Sequence, residues 1–126
     1  MVDVSVSKEG YLATVDVLGT PLRVTDYVSF SDFCHRKALA SEVFSVDFTN
    51  VHIVAMRRAD LAFRELTATV DYFVPDGMPL VWCMNRAEAG LRDRVYGPTF
   101  LRVCLERSTA GILTISWAVR TRVLLS

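Results

Sequence analysis

The chain has 126 residues, 14 Lys and Arg against 14 Asp and Glu, and 52% hydrophobic side chains. That length is one domain or a piece of one, and the apolar content suffices for a packed core, which argues against intrinsic disorder. A formal net charge of +0 argues against a broad electrostatic grip on nucleic acid, which needs clustered Lys and Arg.

In chain order, residues 11–18 alternate and are rich in β-branched side chains, which predicts a strand. Gly19-Thr20-Pro21 reads as a turn and residues 22–24 as a second short strand. Ser29 and Ser31 are candidate N-caps for a helix over about 30–40, with Phe30, Phe33, Cys34 and Ala38 near helical spacing. Residues 43–48 read as a strand with one buried face, while 51–58 fit strand or helix equally. Asp60 is a cap for a helix through about Thr67, with Leu61 and residues 63–66 facing inward. Residues 70–74 are a short buried strand stopped by Pro75. Helices follow over 78–85, with Pro79 in the first turn, and from Pro98 to about Ser108, ended by Gly111. Strands alternating with helices predict one α/β domain, a Rossmann-like, mainly parallel sheet flanked by helices, with ligands at the carboxyl ends of the strands.

Cys34, Cys83 and Cys104 lie far apart with no C-x-x-C pair, so the expectation is three reduced, buried thiols and neither a disulfide scaffold nor a zinc site. No apolar run approaches the ~18–20 residues of a membrane-spanning helix. The opening MVDVSVSKEG carries no secretion signal, and a cytoplasmic location is expected.

Asp76 follows the strand 70–74, in a sharp turn that Gly77 permits, just before a helix. A carboxylate there suits a general base or a hydroxyl-binding group; the alternative is that it only caps the helix. Thr49 and Asn50 follow the strand 43–48 and share that rim, where short polar side chains orient sugar or phosphate oxygens or serve as a turn or cap. Arg94 enters a Gly-Pro helix start, a place for a phosphate group, or else pairs with Asp93 or Glu88. His52 reads as a core residue, His35 has no special spacing, and Arg57, Arg58 and Arg64 read as solvated helix faces. The phosphate loops G-x-G-x-x-G and G-x-x-x-x-G-K-S/T, the G-x-S-x-G elbow and H-E-x-x-H are all absent.

Taken together, Thr49-Asn50-Val51-His52, then the run from Pro75-Asp76-Gly77-Met78-Pro79 to Trp82, then Arg94-Val95-Tyr96-Gly97-Pro98-Thr99, resemble the WecG/TagA/CpsF glycosyltransferases, glycosyltransferase family 26, over about residues 15–111. The resemblance implies an inverting, metal-independent and cofactor-free transfer of an N-acetylhexosamine-type sugar, such as N-acetylmannosamine or its uronic acid. The donor is a UDP-sugar and the acceptor is polyprenyl-diphosphate-linked, in cell-surface polysaccharide or teichoic acid assembly. It implies work at the inner face of the cell membrane, with peripheral membrane association in full-length relatives and a homo-oligomer compatible with the pattern. It assigns the catalytic base to Asp76, with Gly77 beside it, and substrate contacts to Asn50 and Arg94. The Thr of the family's T-x-N motif falls on Phe48, a departure, with Thr49 as the neighbouring hydroxyl.

Beyond Gly111 the family continues with an apolar strand ending in Leu-Gly-Gly, whereas this chain reads Gly111-Ile112-Leu113-Thr114-Ile115-Ser116-Trp117-Ala118. Trp117 requires TGG and Ala118 begins GC; one base back, the stretch permits Leu-Gly-Gly in the right place. The expectation is that 1–126 is a single α/β domain, the N-terminal portion of such an enzyme, its sheet incomplete at the C-terminal end. Residues 112–126 are then an out-of-frame tail. Two other readings stand beside transfer: a non-catalytic remnant or binding module of the same fold, and an unrelated small α/β nucleotide-binding domain.

Overall fold

The computed structural model describes residues 2–3 and 12–107; the tail 112–126 and the helix stop at Gly111 lie outside them. Its elements are strands β1 (Val2–Asp3), β2 (Thr14–Val17) and β3 (Thr20–Arg23), helix α1 (Tyr27–Leu39), strand β4 (Val46–Thr49), helices α2 (Val51–Ala59) and α3 (Leu61–Thr67), strand β5 (Tyr72–Pro75), and helices α4 (Met78–Asn85) and α5 (Gly97–Arg107). The sheet order is β1-β2-β3-β5-β4. β3, β5 and β4 form the expected parallel core, and the antiparallel β2–β3 hairpin with β1 extends one edge.

The hairpin turn is Leu18-Gly19, both with positive φ, 52° and 92°, the two-residue geometry that matches strand twist. The Asp16 carboxylate accepts the Gly19 N–H at 2.8 Å. Thr20 and Pro21, expected in the turn, are instead the first residues of β3, paired with Val17 and Asp16.

Successive residues of a strand face opposite sides of a sheet, and β5 shows this in the core it feeds. Val74 packs with Phe30, Phe33 and Cys34 of α1 and Phe100 and Cys104 of α5. Phe73 packs with Val15, Val17, Leu22, Val54 of α2, and Leu80 and Met84 of α4. The result is a three-layer α/β/α domain whose parallel strands all end at one rim.

Several boundaries differ from the sequence expectation for local chemical reasons. α1 starts at Tyr27 because the Asp26 carboxylate accepts the Ser29 N–H at 2.7 Å; Ser29 and Ser31 are inside the helix, and the Ser31 hydroxyl donates to the Val28 carbonyl. β4 begins at Val46, where pairing with Tyr72 begins, and runs on to Thr49 opposite Pro75. Residues 51–58 are helix because Asn50 caps them, its side chain accepting the Ile53 N–H. Asp60 caps α3 as expected, yet Leu61 and Leu66 are 70% and 69% exposed; the buried residue is Thr67. Pro75 is the last residue of β5 rather than its stop, and its carbonyl accepts the Val95 N–H at 2.7 Å.

Arg57 corrects the expectation of a solvated face. Its guanidinium is buried, donating to the Thr20 and Thr67 hydroxyls and to the Gly19 carbonyl, and it lies 4.5 Å over the Phe73 ring. It thereby ties α2 and α3 to the hairpin turn. Burial lowers its proton affinity and the Arg64 charge adds to that, while Asp47 and Asp16 oppose it. Arg58 and Arg64 are exposed as expected; His52 is exposed, not a core residue. Cys34 and Cys104 are buried and Cys83 half-buried, all three free thiols. Burial pushes the Cys34 thiol up to about 12, so it is an inert core group.

Candidate active site

The carboxyl ends of β4 and β5 lie side by side, in register at Thr49 and Pro75. The next residue of each strand turns into a helix: Asn50 into α2, Asp76-Gly77 into α4. A backbone bond from the Asp76 N–H to the Thr49 carbonyl, 2.8 Å, continues the ladder one step past the strands and fixes where Asp76 emerges.

Asp76 does not cap α4. The cap position is Gly77, which offers no side chain and takes φ +156°, a conformation that side-chain-bearing residues rarely adopt. The Asp76 carboxylate is left free to face the start of α5, where the Gly97 backbone amide donates to it. Arg94 Nη1 stands 3.9 Å from Asp76 Oδ1, with side chains 45% and 18% exposed. Burial raises the proton affinity of Asp76 above that of an ordinary aspartate, and the Asp47 charge adds to it. The Gly97 amide and the Arg94 guanidinium oppose that rise without cancelling it.

Arg94 thus pairs with Asp76 rather than through its side chain with Asp93; Asp93 instead accepts the Arg94 backbone N–H at 2.8 Å. The guanidinium also lies 4.8 Å over the Tyr96 ring. The loop carrying it is held from two sides. Val95 N–H donates to Pro75, and Tyr96 N–H donates to the Tyr27 hydroxyl at 3.0 Å. Beside it a cleft of about 240 Å³ opens between residues 25–27 and 90–94, with Arg94 on its wall.

Asn50 is exposed at the same rim, and capping α2 occupies its amide oxygen but not its NH2 donors. Thr49 is placed differently from the expectation. It is fully buried, and its hydroxyl donates to Asp47 Oδ2 at 2.8 Å, so it meets the rim through its carbonyl, not its hydroxyl. Nor does it take the place of a hydroxyl at position 48. Phe48 lies opposite Val74 on the α1/α5 face, its ring 5.4 Å from Phe100, and strand alternation turns Thr49 the other way.

Sequence reading missed Asp47, Tyr27 and Gly97. Asp47 had a usable signal, its i, i+2 spacing from Thr49 on one strand face. Tyr27 and Gly97 act across the fold through a hydroxyl and a backbone amide, which no local pattern marks. Among the described residues no group of three or more His, Cys, Asp or Glu stands ready to hold a metal.

A half-buried carboxylate with raised proton affinity, an arginine beside it and two helix N-termini stand together at the ends of parallel strands on an α/β scaffold, an arrangement whose chemistry suits an anionic group and a proton transfer. The family model for the WecG/TagA/CpsF glycosyl transferases matches residues 15–117, and the chain belongs to that family. Among curated proteins and among solved structures none matches the chain.

Proposed function

We propose that the chain transfers an N-acetylhexosamine-type sugar from a UDP-sugar to a polyprenyl-diphosphate-linked acceptor, with inversion and with Asp76 as general base. The observation that carries this reading is the placement of Asp76, half-buried at the rim, uncommitted to helix capping and 3.9 Å from Arg94. An acceptor alcohol holds its proton far above neutral pH, so a positioned carboxylate must take it as the new bond forms. The acceptor oxygen then bonds to the anomeric carbon, the bond from that carbon to the β-phosphate oxygen breaks, and UDP leaves with the electron pair. Raising the proton affinity of Asp76 strengthens it as a base. Arg94 and the amides at the starts of α4 and α5 supply positive potential for the diphosphate. Asn50 offers its NH2 to a sugar or phosphate oxygen, and Gly77 allows the chain to turn sharply beside the substrate.

No helix among the described residues is long and apolar enough to cross a membrane. The test is release of UDP from UDP-N-acetylmannosamine by the purified chain in the presence of a soluble acceptor analogue. Acceptor-dependent UDP release that vanishes in Asp76→Ala supports the transfer. Donor binding without turnover favours the non-catalytic binding module instead.

A further inference from the structure

Outside the groups already assigned, β4 carries a half-buried carboxylate that the reaction as described does not use. Asp47 lies two residues before Thr49 on the same strand face, and its Oδ2 accepts the Thr49 hydroxyl at 2.8 Å. Thr49 is fully buried and its carbonyl accepts the Asp76 N–H, also at 2.8 Å. A continuous chain of hydrogen bonds therefore runs from Asp47 through Thr49 to the backbone of Asp76. A buried hydroxyl bound to a carboxylate has little rotational freedom, and a charge-assisted bond is stronger than a neutral one. The end of β4 is thereby fixed where it sets the exit of Asp76 from β5.

We propose that Asp47 is a positioning residue for Asp76: its carboxylate accepts the buried Thr49 hydroxyl, and acting through Thr49 it locks the β4–β5 rim from which Asp76 emerges. This rests on Asp76 being the base, but the coupling between the two carboxylates stands or falls on its own. The groups that face Asp76 are Arg94 from the loop before α5, the Gly97 amide from α5 itself, and Asp47 from β4; Arg57 of α2 faces Asp47. Like charge makes proton loss from Asp76 harder, so Asp47 holds Asp76 as a stronger base than Arg94 and Gly97 alone would leave it. Two carboxylates thereby take different roles, one at the rim to move a proton and one beneath it to set when that proton is held.

The test uses Asp47→Asn, which keeps the shape and an acceptor for Thr49 but removes the charge, and Thr49→Val, which keeps the charge but removes the link. The Asp76 carboxyl is followed by its carbon resonance across pH, and the Asp76 amide by hydrogen exchange; neither readout needs turnover. In Asp47→Asn the Asp76 midpoint moves to lower pH, and the acid limb of turnover moves with it. In Thr49→Val, folded by circular dichroism, the Asp76 amide exchanges roughly tenfold faster, as its acceptor loosens. An unmoved Asp76 midpoint in folded Asp47→Asn overturns the charge coupling, and an unchanged amide rate in Thr49→Val overturns the positioning. Should Asp47→Asn fail to fold, the exchange rate in Thr49→Val decides alone. A moved midpoint without any turnover in the parent leaves this inference standing and removes the base assignment; turnover that requires Asp76 with an unmoved midpoint does the reverse.

Discussion

Replacing Asp76 by Asn separates chemistry from stability. The variant keeps size and an oxygen that accepts from Gly97, and loses the ability to take a proton together with the negative charge that faces Arg94. Loss of a general base lowers turnover by about 10²–10⁴-fold, equivalent to roughly 3–5 kcal/mol of barrier. Stability moves the opposite way, as the balance of forces on the carboxylate shows. At 3.9 Å the attraction of Arg94 amounts to about 1 kcal/mol in water and about 4 kcal/mol at an effective dielectric of 20. Arg94 is 45% exposed, so the lower end applies, and burial outweighs the pair. The folded protein therefore holds the Asp76 proton to higher pH than the unfolded chain does. Stability falls as pH rises through that window, and the cost is fully present at neutral pH and absent below the ordinary carboxylate range. Asp76→Asn melts above the parent at pH 7, and the two curves converge in acid. Thermal unfolding at a series of pH values, beside acceptor-dependent UDP release, reads both effects. Unchanged turnover would sink the base assignment, and a variant less stable than the parent at pH 7 refutes the argument from burial.

Three further perturbations follow from the same geometry. Arg94→Ala removes a group that favours the charged form of Asp76, so the acid limb of the pH–rate profile moves to higher pH, and turnover drops by about 10²-fold as a positive partner of the leaving diphosphate is lost; a limb that stays put shows that the two side chains do not couple. Arg57→Met keeps the aliphatic length but strands the acceptors on Thr20, Thr67 and Gly19, at a cost of about 2–4 kcal/mol in urea unfolding, and an unshifted midpoint contradicts this. Gly77→Ala meets only Pro79 Cδ at 3.9 Å, so its cost of about 1–3 kcal/mol is conformational and is matched by Gly77→Ser; a marked difference between the two points to steric crowding instead.

The sequence made legible those parts of the fold governed by neighbours in the chain. Helix 78–85 stands at its expected bounds, and the strand expected over 70–74 runs Tyr72–Pro75, because a buried apolar run, Gly77 and Pro79 act locally. Asp76, Asn50 and Arg94 are brought to one rim, as strand ends in a parallel sheet require. The burial errors share one physical origin, partners distant in sequence, whereas the boundary errors come from caps and turns next door in the chain. Arg57 looks like a surface cation until Thr20, 37 residues earlier, is folded against it. Leu61 and Leu66 look like core, but α3 is a two-turn helix whose buried residue is Thr67, held there by Arg57. The ambiguous 51–58 became helix because its cap was Asn50, a residue read for its chemistry instead.

That double duty of Asn50 bears on how such a site tolerates change. The rim is fixed chiefly by the backbone: Asp76 N–H to Thr49 and Val95 N–H to Pro75. Tyr27, Thr49 and Asp47 contribute side chains to this frame. Backbone bonds do not depend on residue identity, so a side chain at the rim can change while the carboxylate keeps its place. Phe48, standing where the motif expects Thr, shows what such a change does. Its ring is absorbed into the aromatic packing with Phe100, at the foot of the α5 whose first amide holds Asp76. Strand alternation turns Thr49 to the opposite face, so the neighbouring hydroxyl lies in the α2/α4 layer, bound to Asp47, and does not stand in for one at position 48.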